Sequence, residues 1–259
     1  MSNGGIERRG FLTRIGLGLG TLALAGCSKV GESSWGQRLL HGVEGLTRRA
    51  QREILSPESL APEYTESDIS PVFKPNGSVK PDEEDYQALA KGRFADYRLE
   101  IDGLVERPTK LSLKDIRAMP ARTQITRHDC VEGWSCIGKW TGVKLGDVLT
   151  QTGLKPKARY IVFHCFDALE ESMDGSGVYY ESIDLQDAFH AQTILAYELN
   201  GADLPIANGA PLRVRVERQL GYKMAKYIKR IEAVESLADL GRGKGGFWED
   251  RGYEWYAGI

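Results

Sequence analysis

An arginine, a histidine and two carboxylates surround a cysteine in the run Arg127-His128-Asp129-Cys130-Val131-Glu132-Gly133-Trp134-Ser135-Cys136. The thiolate is the form of cysteine that attacks or ligates, and a nearby cation such as Arg127, or a metal, favours it. Three chemistries stay open on residue types alone: a reactive thiol, a metal ligand, or one half of a disulfide. Cys130 and Cys136 could close a small loop in an oxidising compartment. With Cys27 set aside three cysteines remain, so at least one has no partner within the chain. His128 reads either as an active-site donor or as a satisfied core histidine.

A second group is cationic. Arg213, Arg215, Arg218, Lys223, Lys226, Lys229 and Arg230 fall within 18 residues, opposed only by Glu217. Guanidinium forks grip phosphate oxygens through paired hydrogen bonds, although most charge runs end as solvated faces. The chain as a whole carries 34 basic and 36 acidic residues. Its near-neutral balance sets the cluster apart and argues against nucleic acid as a partner. There is no CxxC, CxxCH or paired Cys/His spacing, no P-loop, and no GxGxxG between a strand and a helix. Structural zinc, c-type haem and nucleotide binding therefore lose their support.

The run Arg-x-x-Cys-Val-Glu-Gly-Trp-Ser at 127–135, followed by Trp140-Thr141-Gly142 and Leu145, resembles the core of the sulfite oxidase family of molybdopterin enzymes. Within it the resemblance is closest to the branch of the periplasmic methionine sulfoxide reductase catalytic subunit. Asn208-Gly209-Ala210-Pro211-Leu212-Arg213 is similar to that family's pterin-phosphate motif, and Gly221-Tyr222-Lys223-Met224-Ala225-Lys226 to its Gly-Phe-Lys continuation. The similarity runs from about Phe73 to Val234. It implies a mononuclear molybdenum–molybdopterin cofactor with Cys130 as the thiolate ligand of the metal, and oxygen-atom transfer on a small S-oxide or sulfite-type substrate. Arg127 and His128 would stand beside the ligand. Asn76, Asn208, Arg213, Lys223, Met224, Ala225 and Lys226 would contact the cofactor. Cys165 occupies the place where the closest branch has a threonine on the pterin, which puts the hydrogen bond there in question. The haem domain and the dimerisation domain of animal and plant sulfite oxidases are not expected here. The resemblance then implies a monomer exchanging electrons with a separate cytochrome or membrane haem protein.

These residues need elements to position them. Tyr97, Leu99 and Ile101 alternate with Arg98 and Glu100, a half-buried strand. Leu113 to Met119 reads as a helix behind the capping box Ser112/Asp115, with Pro120 after it. Gln124 to Asp129 is extended, Leu145 to Thr152 helical, and Tyr160 to Phe166 a buried strand. Leu185 to Phe189 is a helix behind Asp184. Ile194 to Leu199 is a strand that turns at Asn200-Gly201, a hairpin signal. Strands follow at Leu212 to Val216 and Tyr227 to Val234. Short strands and helices in mixed order predict an α+β domain of the sulfite-oxidase type over residues 96–259, with mostly antiparallel or mixed sheets and short helices. Residues 28–95 hold an amphipathic helix (Trp35, Leu39, Val43, Leu46, Ala50, Ile54). A surface-wrapping stretch follows from Pro57 to Asp85, with five of the ten prolines and the acidic run Asp82-Glu83-Glu84-Asp85. The aromatic tail Phe247 to Tyr256 is expected to dock on the domain.

Residues 1–27 read as an address. Arg8-Arg9-Gly10-Phe11-Leu12 follows the twin-arginine pattern, and the apolar stretch from Ile15 to Gly26 is too short to span a bilayer. Leu24-Ala25-Gly26-Cys27 resembles a lipobox, which predicts export to the periplasm or outer face of the membrane, anchored through an acylated Cys27.

Overall fold

In Tyr97-Arg98-Leu99-Glu100-Ile101 the apolar members are almost fully buried, as the alternation requires. The computed structural model describes residues 33, 43, 45–47, 49–53, 56–173, 175 and 177–259. The export and lipobox motifs lie outside the described residues. The chain divides into two units, Met1–Ile54 and Leu55–Ile259. In the first, residues 43, 45–47 and 49–53 are helical. Among the described residues no helix is long and apolar enough to cross a membrane.

The second unit begins with the proline-rich stretch. Its acidic run starts a helix, α1 (Glu84–Lys91), which places Glu84 and Asp85 in the first turn, where the helix dipole favours carboxylates. Then come β1 (Arg98–Gly103), β2 (Thr109–Ser112), α2 (Leu113–Ala118), β3 (Ala121–Cys130), β4 (Trp134–Lys144) and α3 (Leu145–Thr152). They are followed by β5 (Tyr160–Ala168), β6 (Val178–Asp184), α4 (Leu185–Ala188), β7 (Ile194–Leu199), β8 (Ala202–Asp203), β9 (Arg213–Arg215) and β10 (Ile228–Val234). The capping box forms as expected, with the Ser112 hydroxyl accepting from the Asp115 amide. Asn200 and Gly201 take positive φ of 55° and 80° between β7 and β8, the geometry of a tight two-residue hairpin turn.

Two five-stranded sheets result. One runs β2-β1-β10-β5-β6, with β1 and β10 parallel and the other pairs antiparallel. The other runs β3-β4-β7-β8, with β9 also paired to β7, all antiparallel. Leu99, Ile161 and Ile231 of the first sheet and Val143, Leu195 and Val214 of the second belong to one continuous core. This is the α+β architecture with mixed sheets and short helices.

Besides the two-residue β8, three strands went unread in the sequence, for physical reasons. In β4, Gly138 lies against the Phe73 ring and Gly142 against the Leu195 backbone, each too close for a Cβ; glycines of this kind dilute a strand pattern. In β6 the carboxylate Glu181 is fully buried, which blurs apolar/polar alternation. β2 has only four residues.

Candidate active site

Cys130 ends β3, one strand of a hairpin whose register sets Cys130 opposite Trp134 and His128 opposite Cys136. The turn closes through the Gly133 amide, which donates to the Cys130 carbonyl at 3.0 Å, with Gly133 at φ 85°. The three described cysteines are all free, so Cys130 and Cys136 form no disulfide. Cys130 opens on a cleft of about 670 Å³ lined also by Asn76, Ser78, Asp167, Met224 and Lys226, and by the rings of Tyr222, Trp248 and Tyr253. Burial pushes the Cys130 thiol up, while Lys74 and Arg213 pull it down. Arg127 does not contribute: its guanidinium pairs with Asp129 at 2.9 Å and is half exposed. The expectation that Arg127 favours the thiolate is corrected, because alternation along β3 turns the two side chains to different surroundings.

His128 is fully buried behind the hairpin rather than on the cleft wall. Arg215 lies 3.0 Å from its Nδ1, Met224 Sδ lies 3.3 Å from the same atom, and Nε2 has no partner among the described residues. Burial, then Arg215 and Arg213, hold its pKa well below the ordinary range, so the ring is neutral. Gly221 is required here, since a Cβ would lie 2.4 Å from His128 Cε1. Cys165 is likewise fully buried in the core and off the cleft, and burial pushes its thiol well up.

The cationic run is not a solvated face. Arg213, Arg215 and Lys223 are all fully buried, and carboxylates sort its members. Arg215 pairs with Glu217 at 2.7 Å, Arg218 with Asp187 at 3.0 Å, and Lys223 with both Glu181 and Glu249 at 2.5 Å. Lys229 pairs with Glu83, and Arg230 with Asp102 and Glu232. Of the seven, only Arg213 and Lys226 have no carboxylate partner among the described residues. Arg213 donates to the Asn208 carbonyl at 3.0 Å and reaches Asn76 Oδ1 and the Met224 carbonyl at 3.5 Å. Its Nε has no hydrogen-bond partner among the described residues. Arg213 also lies over the Trp140 ring, 5.1 Å from its centroid. Burial and the neighbouring Arg215 push its pKa down to about 9. The Lys226 ammonium is capped by the carbonyls of Asn76, Ser78 and Ala207, and burial and Arg213 push it down to about 7. Asp167 favours the charged Lys226 without an ion pair between them, and Arg213 has no ion-paired carboxylate among the described residues. Buried cations are costly, so an anion would lower the cost of holding these two.

The motif residues thus divide. Asn76, Met224 and Lys226 face the cleft, while Arg213, Asn208 and Ala225 stand behind that wall. Lys223 has its ammonium committed to two buried carboxylates instead of to the cleft. Removing it as Lys223→Met should cost about 3–5 kcal/mol of stability by stranding both carboxylates, read as a lower denaturant midpoint; an unchanged midpoint would count against the ion cluster.

Asp167 escaped the sequence reading. It is buried, its Oδ2 accepts from Ser78 Oγ at 2.5 Å, and its Oδ1 has no hydrogen-bond partner among the described residues. Burial pushes its pKa up. No local signal marks it, because its setting depends on Ser78, which lies 89 residues earlier. The aromatic tail docks as expected: Phe247 is buried, 5.7 Å from the Tyr179 ring.

Comparison with known proteins bears on this site. A family model described as "Oxidoreductase molybdopterin binding domain" matches residues 87–239. A protein of Azospira oryzae, provisionally named protein-methionine-sulfoxide reductase subunit YedZ1, is 37% identical over 97% of this chain and 87% of its own length. "Protein-methionine-sulfoxide reductase catalytic subunit MsrP" of Xanthomonas campestris is 35% identical over 57% of this chain and 48% of that protein. Among solved structures, the sulfane dehydrogenase SoxCD of Paracoccus pantotrophus matches with a TM-score of 0.48 and 22% identity, over 55% of this chain and 39% of that one.

Proposed function

This chain belongs to the family of oxidoreductases built on a molybdopterin-binding domain and uses molybdopterin as its cofactor; on that premise we propose that it reduces an S-oxide, with Cys130 as the protein ligand of the metal. The observation that carries the reading is the pair of buried cations without carboxylates, Arg213 and Lys226, beside the cleft into which the free Cys130 opens. The residues fit the group. A cofactor phosphate would give the orphaned Arg213 Nε an acceptor and both cations a counter-charge. Among the described residues no three His, Cys, Asp or Glu side chains converge into a metal cage, which suits a metal whose other sulfurs come from the pterin.

When bound, the molybdenum–pterin group supplies the two-electron exchange of an oxygen atom. The chain does the rest. Cys130 would offer a soft thiolate from the cleft lining, Arg213 and Lys226 would hold the phosphate, and Asn76, which lines the cleft, accepts from Arg213. In the overall reaction an S-oxide takes up two electrons and two protons, its S–O bond breaks, and a thioether and water leave. The electrons come from a separate redox partner, a cytochrome or membrane haem protein, in keeping with the word "subunit" in the relatives' names. The test is the full chain purified from a cofactor-competent host, assayed for molybdenum, pterin and turnover of S-oxides and N-oxides with a reduced dye. One molybdenum per chain with preferential S-oxide turnover is expected; a loaded enzyme inert to S-oxides would overturn the substrate.

Supported by the twin-arginine and lipobox motifs, we propose export as a folded, cofactor-loaded monomer anchored through Cys27. Replacing Arg8 and Arg9 by Lys should trap the protein in the cytoplasm, and Cys27→Ala should release it from the membrane fraction. Fractionation reads both; normal translocation of the first variant, or membrane retention of the second, would refute the respective motif.

A further inference from the structure

The matched family domain ends at residue 239, yet two side chains from beyond it, Trp248 and Tyr253, line the cleft together with Cys130. Their rings stand 5.3 Å apart, and Tyr253 meets Tyr222 edge-on at 5.2 Å. The three rings form a continuous aromatic wall. It is held rigidly, because Trp248 also packs edge-on against the buried Phe247 at 5.3 Å. The neighbouring Glu249 is tied to Lys223 in the core. The Tyr253 amide donates to the Trp248 carbonyl at 3.0 Å, and the Tyr222 hydroxyl to the Glu254 carbonyl at 2.7 Å. The same cleft is also lined by the polar side chains of Asn76, Ser78, Asp167 and Lys226, so it offers both polar and aromatic surface.

We propose that Trp248 and Tyr253 are specificity-determining residues that seat the apolar alkyl–sulfur part of the substrate, such as the methylthio end of a methionine sulfoxide side chain. Sulfur next to an aromatic ring edge is favourable, and aromatic rings supply large contact area with little entropy to lose. The polar groups that line the cleft, with Arg213 behind them, would be taken by the cofactor, which leaves the aromatic rings for the substrate. The proposal rests on the S-oxide reading above and deepens it.

The test uses cofactor-loaded full-length enzyme with methionine sulfoxide and a reduced dye. Trp248→Ala and Tyr253→Ala should each raise KM by up to about tenfold, with kcat within about twofold and molybdenum and pterin content unchanged. Trp248→Phe keeps a ring in place and should restore most of the affinity; Tyr253 is 40% exposed, so its truncation leaves the core intact. An unchanged KM in Tyr253→Ala and Trp248→Ala overturns the wall while leaving S-oxide reduction standing. No turnover by the unaltered enzyme overturns both. A loss of cofactor in the Ala variants reassigns the rings to cofactor binding and overturns the substrate role.

Discussion

Cys130→Ser is expected to abolish turnover while the domain still folds. The side chain is only partly buried, forms no disulfide and lies on the cleft rather than in the core, so exchanging sulfur for oxygen removes little packing. The chemistry it removes is large. A thiolate is a soft, polarisable ligand suited to a metal that changes oxidation state, and a serine hydroxyl is not. Burial, with the Glu132 charge, pushes this thiol above its ordinary range, so the surrounding protein does not favour a free thiolate. A coordinated cation deprotonates a thiol outright, which accounts for a cysteine that is poor as a bare nucleophile yet open to a cleft. The measurements are rate, molybdenum content and thermal unfolding. Turnover at the unaltered rate would remove Cys130 from the metal.

Arg213→Ala should give the second largest effect, a loss of cofactor. Each charge-assisted hydrogen bond to the phosphate contributes about 1.5–3 kcal/mol, roughly a factor of ten to a hundred or more in affinity per bond. Arg213→Lys keeps the charge but not the planar fork and should recover only part of it. The pKa direction sharpens the expectation. Burial and the neighbouring Arg215 depress Arg213 to about 9, so its charge is carried at a cost in the cofactor-free fold, and an anion would reduce that cost. Binding should therefore raise the melting temperature of the unaltered protein more than that of Arg213→Ala. Equal pterin content and equal thermal shifts would refute the phosphate grip.

Much of this protein is legible in its sequence wherever the physics is local. The capping box at Ser112 and Asp115, the turn at Asn200-Gly201 and the helix over Leu145–Thr152 follow from contacts within a few residues, which side-chain chemistry and backbone preference decide without help. The Cys130 run and the Asn208–Arg213 block are legible for a similar reason: each is a contiguous segment that can be read without its tertiary neighbours. Only the tertiary structure tells which cations are spoken for. Lys223 looks as available as Lys226 three residues later, but its partners Glu181 and Glu249 lie 42 and 26 residues away, while Lys226 reaches carbonyls 150 and 148 residues earlier. The same holds for Asp167, brought to the cleft beside Ser78, and for Trp248 and Tyr253, carried there by the docked tail. β10 lies between β1 and β5, so the order of strands in the sheets, not the order of residues in the chain, decides which charges meet. A buried charge is held by whatever the fold places within a few ångströms of it, and that distance is not written in any local pattern.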